Sequence, residues 1–485
     1  MRDSTSGFAP RSDGVLAVVR ELLRKLDEYD VTYCHWKSTA FLHRSLRGEN
    51  DLDLLVHRDD ANHFAQVLHG LGFKHARVRK DEVPGIADFY GYDPDADVVV
   101  HVHAHYRLVI GDDLTKNYRL PLEGVLLETR TRGGGLPVPA PETELFLLLI
   151  RLVVKHCTWD AVLLRRSRIP PAAREELSFL RARADDAKLR AIARDELPRV
   201  NDVLLAECVH ALEPDADLRR RVRAGSLLTR ALRPYARRPR TVDVGLKVGR
   251  FVASGTRRRL GVHPSRRRLV GGGPLIAVVG SDGAGKSTLV NGLEIWLERY
   301  LAVRSVHLGR PPRSWSTWAI RAALKATSSV SSVWDAASAK RALRMLLATS
   351  IARDRQLAYT SALRGVLAGE VVVCDRFPLR ELTLMDGPRV EGWAGDRRGR
   401  LFRRLVELER RYYDCFTAPD LLIALDVKLE TAASRRSDED GDLLRARWED
   451  VARIDWEGLG AHVFDAQEDA EIVLAHAKRL VWARL

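Results

Sequence analysis

The sequence predicts a multidomain α/β protein. Its 485 residues exceed what one hydrophobic core usually organises, and this length suggests about three domains. In the C-terminal part, an apolar run suited to a buried strand, 275–279, leads into a glycine-rich turn and a helical pattern from residue 287. Further apolar runs alternate with helical stretches, which indicates a parallel sheet with flanking helices.

Composition divides the chain into four predicted regions. Residues 1–140 alternate short strands with helices, as in an α+β domain, and residues 141–215 follow as a helical region. Residues 216–271 are rich in arginine and interrupted by proline and glycine, which is typical of a linker. Residues 272–485 carry the strand, glycine-rich turn and helix.

The net charge of +14 is concentrated in one segment. Residues 219–268 hold 17 Lys and Arg residues against one acid, Asp243, whereas the rest of the chain is close to neutral. Such a segment can contact nucleic acid or an anionic membrane surface, and a solvated linker is the alternative. It contains too few aromatic residues for a base-stacking platform.

The cysteines and the apolar stretches favour a cytoplasmic enzyme. The five cysteines are scattered without a C-x-x-C pair, which argues against a disulfide framework or a zinc knuckle. Residues 1–14 lack the apolar core of a secretory signal. The longest apolar stretch, 145–154, is too short to cross a bilayer. A homodimer is compatible with the sequence.

The glycine-rich turn matches the phosphate-binding pattern G-x-x-x-x-G-K-[ST] at every fixed position. Its nine residues are Gly280, Ser281, Asp282, Gly283, Ala284, Gly285, Lys286, Ser287 and Thr288. In such a loop, backbone N–H groups and a helix N-terminus surround the phosphates of a nucleotide such as ATP. We expect Lys286 to reach the β- and γ-phosphates and the Ser287 hydroxyl to ligate Mg²⁺.

Residues 272–485 resemble the thymidylate kinase family of nucleoside monophosphate kinases. Four pieces carry this resemblance: the loop with its internal acid Asp282, the pair Asp354-Arg355, the triplet Asp375-Arg376-Phe377, and Arg435-Arg436 after the strand at 421–426. The resemblance implies Mg²⁺-dependent transfer of a phosphoryl group from ATP to an acceptor. It also implies that Asp282 points towards the acceptor sugar and that Asp465 lies where the adenine is enclosed.

The acceptor side departs from this family. The Arg-Glu-Pro-Gly of its acceptor loop is represented only by Arg310-Pro311-Pro312, and the Ser/Ala-Tyr-Gln stretch expected after Phe377 is absent. Thymidylate is therefore the family's default acceptor, while another phosphorylated or hydroxylated acceptor remains an alternative. Arg310 is a candidate acceptor-binding residue.

Phosphoryl transfer requires positioning and neutralisation of charge, and the remaining candidates suit that task. Asp375 can belong to the magnesium shell or orient the acceptor. Arg376 and Arg355 can hold an acceptor phosphate through paired hydrogen bonds, and the lid residues Arg435 and Arg436 can neutralise the transition state. Plainer interpretations exist for each: an Asp375–Arg376 ion pair, a structural pair for Arg355, and a solvated face at Arg435 and Arg436.

The N-terminal region carries a second motif. Asp51 and Asp53 alternate along a predicted strand, so their carboxylates share one face, and Trp36-Lys37-Ser38 lies upstream. Roughly residues 15–110 resemble the polymerase-β-like nucleotidyltransferase superfamily, in which such a pair holds two metal ions. A third carboxylate is expected on a later strand, but that strand carries His101, His103 and His105, with Asp97 at its start as a substitute.

Three functions are consistent with these observations. The first is an ATP- and Mg²⁺-dependent kinase that acts on a nucleoside monophosphate or a related small molecule. The second is a nucleotidyltransferase that uses the Asp51–Asp53 pair while the kinase fold supplies or senses nucleotide. The third is an ATP-switched protein that binds nucleic acid or a membrane through residues 219–268.

Overall fold

The computed structural model describes residues 14–78, 83–164, 166–259, 267–328, 335–379, 381–382, 384–394, 399–436 and 440–485. Residues 260–266 of the basic segment and residues 437–439 beside the predicted lid lie outside this description. The chain divides into two compact units, residues 1–265 and 266–485, and each is described by itself. None of the helices in the described residues is long and apolar enough to span a bilayer.

The first unit is built on a mixed sheet. Its strands are β1 (Tyr33–His35), β2 (Leu52–Val56), β3 (Lys74–Arg77), β4 (Ile86–Asp93) and β5 (Val98–His105). They lie in the order β1-β2-β5-β4-β3, with β2 and β5 parallel and the other neighbours antiparallel. One core forms where this sheet meets helices α1 (Ala17–Glu28), α2 (Leu42–Leu46) and α3 (Ala61–Gly70). These elements place β2 and β5 at the centre of the unit.

Two hairpins and a short helix follow β5. The first hairpin joins β6 (Leu108–Ile110) to β7 (Tyr118–Leu120), and the second joins β8 (Thr131–Gly133) to β9 (Leu136–Val138). Helix α4 (Glu123–Glu128) lies between them. They lead from the sheet into the helical region.

Seven helices complete the first unit. They are α5 (Pro141–His156), α6 (Trp159–Leu163), α7 (Pro171–Arg181), α8 (Asp186–Glu196), α9 (Asp202–Ala211), α10 (Leu218–Ala231) and α11 (Arg240–Arg259). Helix α5 is almost wholly buried, and between Leu145 and Val154 only Arg151 interrupts its apolar residues, as expected of a central helix. Its core includes Cys34, Trp36 and Leu55 from the sheet. The predicted helical region at 141–215 therefore shares one core with the strands of residues 1–140.

The structure corrects the prediction of a linker at residues 216–271, because most of this segment is helical. Ala224, Leu228 and Leu232 recur at helical spacing and are buried. A Cβ on Gly225 would lie 2.2 Å from the Cys157 carbonyl oxygen, so this close helix contact requires glycine. Arg219, Arg223 and Arg230 are exposed on α10, and the number of arginines hid the apolar positions between them.

The second unit contains a parallel sheet of five strands. Its elements are β10 (Arg268–Leu269), β11 (Leu275–Gly280), α12 (Lys286–Glu298), β12 (Val303–His307), α13 (Trp315–Ser328), α14 (Asp335–Leu367), β13 (Val371–Asp375), α15 (Val390–Ala394), α16 (Arg400–Tyr413), β14 (Leu421–Asp426), α17 (Leu429–Arg435), α18 (Gly441–Ala452), β15 (His462–Asp465) and α19 (Ala470–Arg484). The five sheet strands lie in the order β12-β13-β11-β14-β15, and all neighbours are parallel. The parallel sheet predicted for residues 272–485 is thereby confirmed.

The strand order fixes where a ligand can bind in the second unit. The chain leaves β11 towards one edge of the sheet and later returns to the other side of β11 as β14. The connections thus diverge at the carboxyl end of β11, where open α/β sheets bind their ligands. Gly280 ends β11, Asp375 ends β13 and His307 ends β12 at this edge.

Candidate functional site

The glycine-rich loop joins β11 to the start of α12 through backbone conformations that favour glycine. Gly283 has φ of +84°, and a Cβ there would lie 2.8 Å from the carbonyl oxygen of Ala432. Lys286 opens the helix, and its ammonium donates to the carbonyl oxygens of Gly280 at 3.0 Å and Ser281 at 2.7 Å. The positive end of α12 therefore faces the pocket that this loop surrounds.

Burial makes Lys286 unusual among lysines. Its side chain is enclosed by the loop, and only 6% of the residue is exposed. Removal from water, reinforced by the nearby charge of Arg376, lowers the pKa of Lys286 to about 8. Among the described residues, no carboxylate forms an ion pair with this ammonium, which leaves its charge available to a ligand.

Ser287 and Asp375 meet beside the glycine-rich loop, as the sequence predicts for a magnesium site. The Ser287 hydroxyl donates to Oδ2 of Asp375 at 2.9 Å. The second carboxylate oxygen of Asp375, Oδ1, is buried and has no hydrogen-bond partner among the described residues. A hydroxyl beside a buried carboxylate with an unused oxygen fits Mg²⁺, which prefers oxygen ligands. Ser287 and Asp375 are therefore the residues that would hold this ion.

Asp282 lies at the centre of an ion-pair network rather than projecting alone towards a ligand. Arg376 donates to its Oδ1, and Nη1 of Arg447 donates to its Oδ2 at 3.0 Å. Burial alone would raise the pKa of Asp282, but the charges of Arg376, Lys286 and Arg447 lower it. Arg447 was not predicted, because it lies on α18, beyond the predicted lid residues Arg435 and Arg436.

A polar pocket of about 320 Å³ brings most of the predicted residues together. Its lining consists of Asp282, Gly283, Gly285, Lys286, Ser287, Thr288, His307, Arg310, Arg376, Arg435 and Arg436. His307 was not predicted; it pairs with Asp375 in the register of β12 and β13, and burial lowers its pKa. This concentration of cations around a helix N-terminus can hold several phosphate groups.

A more apolar pocket of about 210 Å³ adjoins the polar one, since Gly285, Thr288 and Arg435 line both. Leu289, Leu425 and Ala466 contribute to its wall. Its size and lining suit a flat ring such as a nucleobase. Asp465, which was predicted to lie beside the adenine, instead accepts from the backbone N–H of Gln467 at 2.9 Å, and its neighbour Ala466 lines the pocket.

Arg435 and Arg436 lie at the end of α17, beside the loop. Arg435 donates to the carbonyl oxygens of Gly283 and Ala466, both at 3.2 Å. It therefore connects the glycine-rich loop to the wall of the apolar pocket. Both arginines line the polar pocket, as expected of lid residues.

Arg355 does not reach the pocket, contrary to its predicted contact with the acceptor. Only 5% of the residue is exposed. Its guanidinium donates to the carbonyl oxygens of Leu308 and Asp386, both at 2.7 Å, and to the hydroxyl of Tyr413. The prediction was wrong because the sequence could not show that these buried acceptors surround α14. Arg355 holds three segments of the second unit together.

The first unit contains a separate cluster of titratable residues on β2, β4 and β5. The carboxylates of Asp51 and Asp53 do share a face, as their alternation predicts. Asp51 bonds to Nδ1 of His101 at 2.8 Å, and Asp88 on β4 bonds to Nε2 of the same ring at 2.8 Å. Burial disfavours the charged form of His101, but these two carboxylates raise its pKa. Asp88, rather than Asp97, supplies the third carboxylate.

Asp53 has a different set of neighbours. Its Oδ1 lies 2.7 Å from the ammonium of Lys37 and 3.0 Å from Nδ1 of His103. Burial alone would raise the pKa of Asp53, but Lys37 and His103 lower it. Nε2 of His105 lies 3.3 Å from the same His103 nitrogen. Three potential ligand atoms, one each from Asp53, His103 and His105, lie within 4.8 Å of one another.

The helical region positions the segment that carries Lys37. Ser38 adopts a left-handed conformation with φ of +61°, and its backbone N–H donates to Glu176 of α7 at 3.0 Å. Thr39 donates through its backbone N–H to Glu144 of α5 at 3.0 Å and through its hydroxyl to the same carboxylate. Helices α5 and α7 therefore fix the segment that brings Lys37 to Asp53.

A pocket of about 330 Å³ opens beside this cluster. Its lining includes four cations, Lys37, Lys116, Arg151 and Lys155. Lys155 pairs with Asp113 at 2.7 Å, and Lys37 pairs with Asp53. Within the described ranges, Lys116 and Arg151 form no ion pair with a carboxylate. The pocket thus combines acids on the sheet with cations on the helices, an arrangement suited to a phosphorylated ligand.

The acids of this cluster do not fit a pair of magnesium ions held by oxygen ligands alone. Asp51 and Asp88 both bond to His101, and Asp53 bonds to Lys37 and His103. Imidazole nitrogens stand where the predicted site requires carboxylate oxygens, and Mg²⁺ prefers oxygen. The two-metal arrangement expected for Asp51 and Asp53 is therefore not supported by this donor set.

Comparisons with known proteins support the N-terminal resemblance. Residues 1–167 match the model of a family described as an uncharacterised nucleotidyltransferase, in agreement with the predicted N-terminal resemblance. An uncharacterized ATP-binding protein, YghR of Escherichia coli strain K12, is 30% identical to this chain over 222 residues. The alignment covers 43% of this chain and 86% of YghR, and YghR of a second Escherichia coli strain gives the same values. The chain therefore belongs to the same family as YghR.

Proposed function

We propose that residues 272–485 form an ATP- and Mg²⁺-dependent phosphotransferase of the thymidylate kinase type. The observation that carries this proposal is the Ser287–Asp375 contact, with an unpartnered carboxylate oxygen beside the buried Lys286. The polar pocket is large enough for phosphates, and the adjoining apolar pocket suits a base. The name of the Escherichia coli relative, an ATP-binding protein, supports ATP as the donor.

The residues of the polar pocket have separate roles in phosphoryl transfer. Lys286 and the N-terminus of α12 bind the β- and γ-phosphates, while bound Mg²⁺ supplies further neutralisation of their charge. An acceptor oxygen bonds to the γ-phosphorus as the bond to the β–γ bridging oxygen breaks, and ADP leaves with that electron pair. Arg435 lies against the loop, where it stabilises negative charge on the transferred group.

The acceptor side relies on Arg310 and Arg376. Both line the polar pocket, whereas Arg355 is enclosed elsewhere. Asp282 fixes Arg376 and so orients its guanidinium towards an acceptor phosphate. A nucleoside monophosphate, with thymidylate as the family's default, presents a phosphate oxygen that needs no base for its activation. This makes a monophosphate the acceptor that the described residues favour.

The test is transfer of radiolabelled phosphate from ATP to a panel of monophosphates, nucleosides and sugars by the full-length chain. We expect one monophosphate to be converted with equal release of ADP, and only with Mg²⁺. The Lys286→Met variant should lose this activity, whereas Asp53→Asn should retain it. Release of ADP without any labelled acceptor, or equal activity in Lys286→Met, would reject the proposal.

A second candidate function is nucleotidyl transfer by the first unit. It is favoured by the match of residues 1–167 to a nucleotidyltransferase family and by the four cations beside the sheet acids. Lys116 and Arg151 would bind the triphosphate, and Lys37 would hold Asp53 ionised. In this case, label from the α-phosphate of a nucleotide should reach an acceptor, Asp53→Asn should abolish the transfer, and Lys286→Met should leave it intact.

A further inference from the structure

The cluster on β2 and β5 contains two histidines that neither candidate function uses. Asp53, His103 and His105 direct one carboxylate oxygen and two imidazole nitrogens towards one another. Nδ1 of His103 lies 3.0 Å from Oδ1 of Asp53 and 3.3 Å from Nε2 of His105. These are the separations expected between ligands of one cation with bond lengths of about 2.0–2.2 Å.

We propose that Asp53, His103 and His105 bind one divalent transition-metal ion of the zinc class. One carboxylate and two imidazoles suit Zn²⁺, Co²⁺ or Mn²⁺ better than Mg²⁺, because imidazole nitrogen is a poor ligand for the harder ion. The three ligands leave further coordination positions on the side of the pocket of about 330 Å³, where a ligand or water can bind.

Hydrogen bonding in the cluster supports this assignment. Only 2% of His105 is exposed, so its ring is enclosed together with the other two ligand groups. Nδ1 of His105 is buried and has no hydrogen-bond partner among the described residues, while its Nε2 faces His103. His101 is excluded as a ligand, because Asp51 and Asp88 occupy both of its nitrogens.

Lys37 is the competing cation. Its ammonium lies 2.7 Å from the same Asp53 oxygen and supplies the positive charge there in this structure. A lysine stem is flexible, so the ammonium can turn into the adjoining pocket when a metal ion binds. Replacing Lys37 by an uncharged residue of similar length should therefore strengthen metal binding, whereas it would only weaken a structural salt bridge.

The experiment is calorimetric titration of the chelator-treated, full-length chain with Zn²⁺ in excess Mg²⁺, with Co²⁺ absorption as a second readout. The Asp375→Asn background removes the contribution of the second unit. We expect one Zn²⁺ to bind per chain. The affinity for Zn²⁺ should fall at least about tenfold in Asp53→Asn and in His105→Asn, and it should rise in Lys37→Met. His210→Asn, an exposed histidine outside the cluster, is the matched control. Failure to bind Zn²⁺, or equal affinity in Asp53→Asn and the control, would overturn the proposal.

A second and independent observation concerns the basic segment. A groove of about 840 Å³ in the first unit is lined by five arginines, Arg230, Arg233, Arg237, Arg238 and Arg240. Arg240 pairs with Asp160 at 2.9 Å. The other four form no ion pair within the part of the chain that the structure describes. Burial and the charge of Arg238 lower the pKa of Arg237, so the guanidinium groups are crowded without compensating acids.

The geometry points to a single strand of nucleic acid as the ligand of this groove. Guanidinium groups without carboxylate partners, gathered in a concave groove, suit the phosphates of a nucleic-acid strand better than a flat membrane surface. Trp159 lines the groove and is 45% exposed, so one base can stack on its indole. Thr241 adds a hydroxyl group that can donate to a phosphate oxygen.

Fluorescence anisotropy with labelled single-stranded oligonucleotides and sedimentation with phosphatidylserine vesicles test this second proposal. Arg233→Ala with Arg238→Ala should lower oligonucleotide affinity at least tenfold and reduce the salt dependence by about two ion equivalents. Arg174→Ala with Arg190→Ala, which removes the same charge from exposed helical positions, should have little effect. Equal loss in both double variants, or binding to vesicles but not to oligonucleotides, would overturn it.

Discussion

The Ser287 hydroxyl donates to Oδ2 of Asp375 at 2.9 Å, although 88 residues separate them in the sequence. They meet because β11 and β13 are parallel neighbours, so the residues that follow both strands lie at one edge of the sheet. Oδ1 of Asp375 is left without a partner in the described structure. A buried carboxylate oxygen without a partner lowers the stability of the fold unless a ligand binds to it. This contact is therefore the basis of the proposed magnesium site.

Asp375→Asn should reduce phosphotransfer by about 10²-fold or more, because an amide is a weaker ligand and carries no charge. Nucleotide binding should lose its dependence on Mg²⁺, as measured by calorimetry with and without the ion. Asp426→Asn, the same change at the end of β14, is the control and should retain activity. If nucleotide binding depended equally on Mg²⁺ in the wild type and in Asp375→Asn, Asp375 would not be a ligand of the metal ion.

Nucleotide binding should take up a proton above about pH 8. The free protein loses the Lys286 proton as the pH rises through its lowered pKa of about 8, and the bound phosphates favour the protonated form. Calorimetry in buffers of different ionisation enthalpy measures this uptake, which should be small well below pH 8. Lys286→Arg keeps its charge throughout, so an unchanged uptake in that variant would assign the proton to another group.

Arg355→Met should destabilise the second unit by about 3–5 kcal/mol, since it leaves the buried Asp386 carboxylate and two carbonyl oxygens with fewer donors. Urea denaturation of the full-length chain measures this loss. Arg321→Met, an exposed arginine on α13, is the control. A variant of wild-type stability with a raised KM for the acceptor would instead restore the predicted role of Arg355 in acceptor binding.

Arg447→Met should raise the KM for the acceptor about tenfold and change the KM for ATP little. The reason is that Asp282 would lose one of its two arginine partners, so Arg376 would be less firmly oriented. Steady-state kinetics with each substrate varied in turn separate the two constants. Arg445→Met, two residues earlier and exposed, should match the wild type; a rise confined to the KM for ATP would contradict this role.

The stability of the first unit should fall between pH 4.5 and about pH 7. Burial raises the pKa of Glu144 to about 7, although hydrogen bonds from Thr39 oppose this shift. The folded protein therefore binds more protons than the unfolded chain in this window, and the free energy of unfolding decreases as the pH rises, by about 3 kcal/mol. Glu144→Gln should remove this decrease, whereas the exposed Glu175→Gln should not. Denaturation across this pH range measures both.

Sequence reasoning could mark the proposed donor side of the second unit because the signals there are local. The loop at 280–288 follows a buried strand and opens a helix, so a few adjacent residues define the fold around it. Asp375 could be paired with Ser287 because both follow strands of one parallel sheet. Both predictions depend on where strands end, and the ends of short apolar runs show this in the sequence.

Contacts between distant side chains could not be predicted in the same way. Arg355 and Arg447 are ordinary arginines in the sequence, and their roles depend on which buried acceptors α14 and α18 meet. Asp88 lies on a strand next to β5, and no local pattern marks it as the carboxylate opposite His101. The helices at 216–259 were missed because arginine-rich composition outweighed the spacing of their buried positions.

Calorimetric titration of the folded, full-length chain with ATP, in the presence and absence of Mg²⁺, tests the central claim most directly. The account predicts one Mg²⁺-dependent site per chain, which Lys286→Met abolishes and Asp53→Asn retains. If no purine triphosphate bound, or if ATP bound equally well to Lys286→Met, the second unit could not be the proposed phosphotransferase.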